Sequence, residues 1–519
     1  MKRKRVWTGV GGLAAVIATA LPAFVLRGYS PIEVSKETTW FTEPLTADGY
    51  VNYRRVLRDR DSRGRIPSLL QELQNEEIAV VSNVRDTGTL YRAAKERFKS
   101  EATTGLHLAQ LSMILGENGD FRNRYRKCCS LPYQRSAAPF IASVVSENEE
   151  WYDRLEKAIR SPNDVWFWSD ETGNPVGNAH ALNHNMFNLW EDDVPVRFML
   201  NLGEGNFAEA NQDLDLLRTI ANWQLATPSH RAMSRMCRTH RRICKCCCVA
   251  MLTSNRDPNE WLPQSSAEIP LSLDSNVLSQ IRVVMLDELQ AMHQRGPTTV
   301  SMQSFDQFAD SLKQRSLEMS FDWNVLMRDQ NAFLDEVTAD IWNERTWPIV
   351  HTRFQEKWTQ IPKLAQWQSS GNFYSVSNAR LSGTEYVKQH RRHLTLTSAY
   401  EHVSSLYMKI AWTRLTRIVA QLATYRNTHS KFPDSLRQIE IQTNEELLDP
   451  FTESEFKYSR DGDGFRLYSV GANMTDENGT FGYSSGSPGE KSYENADDIS
   501  FRWPFEDRHA EEVGKSGAN

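Results

Sequence analysis

The sequence lacks most of the short signatures that would name a reaction. It has no Walker A loop and no G-x-G-x-x-G fingerprint, so P-loop phosphate chemistry and Rossmann dinucleotide binding have no local support. The glycine-containing turn at Gly203 and Gly205 is not followed by the Lys-Ser/Thr that a phosphate loop requires. A strong excess of one charge is missing as well. A net charge of −6, with 24% charged residues, gives no general bias toward nucleic acid, and no nucleic-acid partner is expected. No 34-residue period recurs, which argues against a tetratricopeptide-type array. After the N-terminus no second run of 18 apolar residues exists, so the chain crosses a membrane once at most. Cysteines are not spread as a disulfide framework: of seven, five fall between Cys237 and Cys248 and the other two are adjacent, Cys128 and Cys129.

What is present begins with a compartment signal. Met1 to Arg5 (MKRKR) carries four basic residues, and Val6 to Leu26 then carries no charge for 21 residues. That length suits a hydrocarbon core of roughly 30 Å. Basic residues on the near side place the N-terminus in the cytoplasm. The expectation is a single-pass protein of the inner (cytoplasmic) membrane, with its C-terminal bulk outside the cytoplasm, on the periplasmic side. Ala18-Thr19-Ala20 also suits a signal peptidase, so two readings stand, an uncleaved signal anchor or a cleaved leader. The anchor is favoured because the apolar run continues to Leu26. Fifteen tryptophans fit a well-packed globular body.

Along the chain the pattern is mainly α. Residues 1–27 read as the transmembrane anchor, 28–65 as a polar connector and 66–383 as an irregular α-helical domain. Residues 384–505 read as a long helix plus a small α+β module, and 506–519 as a disordered tail. Helical spacing runs over Thr89–Leu115, over Ile141–Ile159 as one amphipathic helix, and over Leu278–His293 until Arg295-Gly296-Pro297 stops it. Met199–Ala226 reads as a helical hairpin turning at Gly203–Gly205. Phe305–Phe354 carries two helices with Trp323, Leu326 and Trp342 inward. A long helix starts near Glu385 or Leu394 and ends at Thr428, with Leu415, Ile418, Val419, Leu422 and Tyr425 on one face. Phe456–Ser459 and Phe465–Ser469 read as strands around the hairpin turn Asp461-Gly462-Asp463-Gly464.

The order of motifs at the C-terminus is specific. Tyr425-Arg426 and His429 close the long helix, and Lys431-Phe432-Pro433-Asp434-Ser435-Leu436 follows. Then come Asp449-Pro450-Phe451, Phe456-Lys457-Tyr458, Leu467-Tyr468-Ser469-Val470-Gly471 and Asp497-Asp498-Ile499. This order resembles the globular part of the major pseudopilin of type II secretion systems. Over its full length the chain is similar to membrane-anchored proteins common in planctomycete bacteria. Two departures separate it from a pseudopilin: the apolar segment lacks a prepilin-peptidase site and its Glu, and most of the chain intervenes before the module. Assembly into a pseudopilus is therefore not expected. The resemblance implies a structural calcium in the last loop, with Val470, Asn473, Asp476, Asp497 and Asp498 as the ligand set. Asn473 and Ala496 stand where the pattern has acidic residues, so a loop closed by hydrogen bonds alone is the alternative. Within the module Tyr468 and Val470 are expected to face the long helix.

Three other constellations carry chemistry-bearing residues. On a helix, Cys237, Arg241, Cys244 and Cys248 share a stripe, with His240 at its edge. This reads as cysteines used as small buried hydrophobes, with metal binding or disulfide and redox chemistry as alternatives. His180 and His184 have the spacing of a helical zinc pair but lack the Glu of HExxH. Gln389-His390-Arg391-Arg392-His393 reads as a solvated face. The expected function is a scaffold or interaction protein of the cell envelope, held in the membrane through residues 6–26 and meeting an envelope protein partner. The alternative is a metal-dependent enzyme built on His180, His184 and nearby carboxylates.

Overall fold

The computed structural model describes residues 31–60, 119–162, 193–225, 230–262, 275–295, 322–341, 346–361, 383–440, 443–480 and 498–504, with scattered positions between 65 and 115 and the pair 165–166. The fold is mainly helical, with a small three-stranded antiparallel sheet at its C-terminal end. The N-terminal apolar run, Trp342 and the C-terminal tail lie outside the described residues, as does most of Thr89–Leu115. No helix among the described residues is long and apolar enough to cross a membrane.

Residues 28–65 are expected to be a polar connector, but its described part, 31–60, contributes to the core. Ile32, Thr38, Thr39, Val51 and Tyr53 are all buried, and Tyr53 opens the short helix α1 (Tyr53–Arg60). A two-residue ladder pairs β1 (Arg65–Ile66) with β2 (Val165–Trp166). The region expected as a single helix over Ile141–Ile159 is broken. After α2 (Gly119–Ser130) come α3 (Pro139–Glu147) and α4 (Glu149–Arg160), separated at Asn148. The Asn148 side chain donates to the Val144 carbonyl, and its backbone N–H turns to Val145. An Asn that bonds its own backbone competes with the helical ladder. The apolar spacing carries straight across the break, which is why periodicity alone misses it.

The helical hairpin forms as read. Helix α5 (residues 193–204) reverses at Gly205 and Asn206 into α6 (Phe207–Leu225). Gly203 is required by a close approach, since a Cβ there would sit 2.2 Å from the Tyr133 carbonyl oxygen. Arg197 ties the hairpin to α4. It donates to Asp213 Oδ1 at 2.6 Å and Glu156 Oε1 at 2.9 Å, and its guanidinium lies over the Tyr152 ring. Asp213 is fully buried and also accepts from Asn201.

Four more long helices complete the body: α7 (His230–Thr253), α8 (Ser275–Arg295), α9 (Trp323–Ile341) and α10 (Trp347–Gln360). All of them pack against α11 (Gly383–His429), which runs unbroken for 47 residues. At 1.5 Å per residue this is a rod of roughly 70 Å. Leu415, Ile418, Val419 and Leu422 are buried along it as expected. The run Gln389–His393 is not a solvated face, however. Gln389 and Arg391 are buried, and Arg391 donates to Glu288 Oε2 and to the Met285 carbonyl, both at 2.8 Å. Arg392 grips Asp329 with two hydrogen bonds.

The sheet orders β3 (Lys457–Asp461), β4 (Gly464–Ser469) and β5 (Ile499–Trp503), each pair antiparallel. The β3–β4 turn is the expected two-residue one, with Gly462 at φ 56°. β5 has no counterpart in the sequence reading. Side chains alternate along a strand, so Leu467 and its cross-strand partner Phe501 share the face toward α11, where Phe501 meets Trp412 edge-on at 5.0 Å. Tyr468 lies one residue on and therefore faces away from the helix, which corrects the expectation that it would face α11. It is covered instead by the loop after Val470: an added Cβ on Gly479 would lie 3.2 Å from its ring.

Candidate functional site

The loop that covers Tyr468 is the densest polar arrangement of the module. Asp449 anchors its base and is itself buried. Its Oδ1 accepts from the Phe451 N–H at 3.0 Å and from Ser469 Oγ at 2.8 Å, and its Oδ2 accepts from the Val470 N–H at 3.0 Å. The Asp449-Pro450-Phe451 turn is thereby clipped to the end of β4. Past Val470 the backbone enters the left-handed region at Gly471, Met474, Asn478 and Gly479, winding residues 473–480 into a tight coil.

Carboxylates gather inside that coil. Asp498, at the edge of β5, is fully inaccessible. Its Oδ2 accepts from the backbone N–H groups of Glu477 (3.0 Å) and Gly479 (2.7 Å). Its Oδ1 is buried without a donor, and so is Oε2 of Glu477. Burial raises the Asp498 carboxyl to about 7, helped by its contact with Glu477 and by the charges of Glu477 and Asp476. The two carboxyl groups are in contact and each leaves one buried oxygen without a donor, so both ionised together carry one negative charge too many. A shared proton resolves that excess; a hard cation would do so only with further oxygens to complete its six to eight ligands.

The five residues expected as ligands take different places in the coil. Asp498 is buried at its centre. Asp476 is turned outward, its Oδ1 accepting from the Tyr468 hydroxyl at 3.0 Å and from the Asn478 N–H at 2.9 Å. Asn473 closes the coil: its Oδ1 accepts from the Thr475 N–H, and its Nδ2 donates to Glu477 Oε1 at 2.7 Å. Val470 contributes the N–H bonded to Asp449. Asp497 lies outside the described residues. Sequence reasoning missed Glu477, which stands beside Asp476 in the run Thr475-Asp476-Glu477-Asn478-Gly479. The pair of adjacent acids before Asn478-Gly479 is visible in the sequence, but which of them turns inward is set by the left-handed backbone at those two residues. Among the described residues, no group of three or more histidine, cysteine or acidic side chains is spaced to hold a metal ion.

The cysteine helix α7 is a core element. Cys237, Cys244, Cys246, Cys247 and Cys248 are all buried. Burial pushes the Cys237 and Cys244 thiols up to about 12 and Cys247 to about 11, so neutral thiols dominate at physiological pH. Cys237 Sγ donates to the Ser405 carbonyl of α11. His240 sits between the two helices, with its Nε2 3.0 Å from Thr413 Oγ1, whose own hydrogen reaches the Lys409 carbonyl. The hydroxyl oxygen is then left to accept from Nε2–H. Burial, with the nearby Lys409 charge, pushes His240 down to about 3.

Because this folded-state value lies below the ordinary histidine value of about 6.5, the stability is complete above that pH. It is lost as pH falls through 6.5 toward 3. Between about pH 7.5 and about pH 5 the wild type should lose about 2 kcal/mol more than His240→Asn. Paired urea titrations at the two pH values measure this, and equal losses in the two proteins would show that His240 does not carry the acid sensitivity.

His180 and His184 lie outside the described residues. The sequence also holds one signature that its reading overlooked, the G-x-S-x-G spacing at Gly482-Tyr483-Ser484-Ser485-Gly486. It too lies outside the described residues. No family model, curated protein or solved structure matches the chain.

Proposed function

We propose that the chain is a single-pass, membrane-anchored scaffold of the cell envelope. Its bulk stands on the periplasmic side, and its pseudopilin-like C-terminal module is completed by one calcium ion. The observation that carries the scaffold reading is helix α11. One continuous rod is packed by the helical body along its length and by β4 and β5 near its C-terminal end. The chemistry-bearing side chains around it act as ties. Arg391 holds Glu288, Arg392 holds Asp329, and Cys237 and His240 join α7 to α11. Such an arrangement holds a surface in a fixed shape for a partner protein. Glu477 Oε2 and Asp498 Oδ1 would hold the calcium, which neutralises their excess charge and locks the coil over Tyr468.

The test is made on the full chain purified in detergent. Elemental analysis should return one calcium per chain, and chelation should lower the melting temperature. At a free ion level of roughly 100 times Kd, binding contributes about 2.7 kcal/mol. Glu477→Gln with Asp498→Asn should abolish both the calcium and the shift. Calcium-free protein with an unchanged melting temperature would assign the pair to a shared proton instead. In cells the chain should stay with membranes through an alkaline wash, its bulk open to protease added from the periplasmic side. A photo-cross-linker at exposed Leu45 or Ile349 should give a discrete hetero-adduct. A chain that leaves the membrane, or forms no adduct, would overturn the scaffold reading.

A further inference from the structure

The body is stapled to the chain within a few residues of the apolar run. Pro31 is the first described residue, and Asn324 at the start of α9 already holds it. Asn324 Nδ2 donates to the Pro31 carbonyl at 3.2 Å, and its Oδ1 accepts from the Glu33 N–H at 2.8 Å. One side chain thus brackets three residues of backbone as a strand partner would. Two turns further along α9, Asn331 donates to the carbonyls of Glu37 and Thr38. Gln290 of α8 repeats the bracket on Val51, accepting its N–H and donating to its carbonyl. The segment therefore climbs α9 from its N-terminal end and is fixed at each step.

The reach from Leu26 to Pro31 is short. Five Cα steps span at most roughly 18 Å. The headgroup layer on one side of a bilayer occupies roughly 5–8 Å of that. Whatever the conformation of residues 27–30, the N-terminal end of α9 cannot stand far from the lipid. Val325, one residue past the bracket, is 37% exposed, a large apolar side chain at this end of the helix. The other end of α9 leads to α10, which packs beside it and begins at Trp347. Trp347 donates to the Ala472 carbonyl, so the C-terminal module sits at that opposite end. The nineteen residues of α9 separate the two ends by roughly 28 Å.

We infer that the N-terminal end of α9, around Asn324 and Val325, is a docking face for the bilayer surface, so that the body stands fixed on the membrane with its C-terminal module pointing away. This rests on the anchor reading of residues 6–26 proposed above. It adds that the docked face, with a connection of at most roughly 18 Å behind it, presents the carboxylate-bearing coil at a set height rather than on a long swinging tether.

The experiment places a fluorophore on Val325→Cys or on Ile349→Cys in the full chain. Ile349 is 44% exposed on the first turn of α10. Six of the native thiols are buried and Cys129 on α2 is half-buried, so both variants carry Cys129→Ser and the chain with that change alone gives the background. Both proteins are reconstituted into vesicles of phosphatidylethanolamine and phosphatidylglycerol, with or without nitroxide on the headgroups, and floated to confirm association. The 325 label should lose most of its emission to the nitroxide lipid, and the 349 label should keep nearly all of it. Flotation with both labels unquenched, or both quenched alike, would overturn the docking and leave the anchor standing. Failure to float would overturn the anchor reading and the docking with it.

Discussion

Replacing Arg391 with alanine should destabilise the protein by about 3–5 kcal/mol, among the largest effects available to a single substitution here. The guanidinium and its partner Glu288 are both nearly inaccessible, 3% and 2% exposed as side chains. Removing the arginine leaves the Glu288 carboxylate buried without a counter-charge and strips a donor from the Met285 carbonyl. The pair itself is not well satisfied, because Arg391 Nε and Glu288 Oε1 lack partners. A double change to apolar residues of similar size, Arg391→Met with Glu288→Leu, should therefore be close to neutral. Urea denaturation of the three proteins reads the contrast. Single and double variants with equal losses would mean that the site tolerates a lone charge, and with it water.

Trp347→Ala should cost a comparable amount, about 3–5 kcal/mol, for a different reason. Trp347 is fully buried and joins three parts of the molecule. Its ring lies 5.2 Å from that of Tyr407 and 5.5 Å from that of Tyr400, both on α11, and 5.4 Å from Phe451 of the module, edge-on. Its indole N–H donates to the Ala472 carbonyl at 2.8 Å, just before the carboxylate coil. Alanine opens a cavity where body and module meet. Trp347→Phe keeps most of the ring and removes the donor, which should cost about 1–3 kcal/mol for the stranded carbonyl. Near-ultraviolet circular dichroism and far-ultraviolet melting should move together in Trp347→Ala, because body and module share α11. Two separate transitions would mean that the module unfolds independently.

What the sequence discloses and what it hides divide along physical lines. The long helix, α8 and the β3–β4 hairpin were readable because their signals are local: apolar residues at helical spacing, and Asp-Gly at a two-residue turn. Asn148 was hidden because Val144, Val145, Trp151 and Tyr152 keep their helical spacing across the break. β5 was hidden because Ile499–Trp503 meets β4 only after a long excursion, and five residues carry too little pattern of their own. The face of Tyr468 was misassigned for want of that partner strand, since register fixes which side chains look inward. Arg391 reads as solvent-facing among its charged neighbours, and only Glu288, a hundred residues earlier, makes it a core residue. In the carboxylate coil Asp498 was singled out by resemblance, and it lies buried there. Glu477 was not, because a backbone that turns left-handed at Asn478 and Gly479 decides which of two adjacent acids points inward.

The brackets on residues 31–51 have a consequence for the making of the protein. Asn324 is 293 residues from Pro31, and Gln290 is 239 residues from Val51. At synthesis rates of roughly 5–20 residues per second, Asn324 emerges about 15–60 s after Pro31. For that interval residues 31–51 have only their local turns and the Leu45–Val51 bridge to hold them. Its long-range partners arrive only with α8 and α9, so this first described stretch is among the last parts of the body to be fixed.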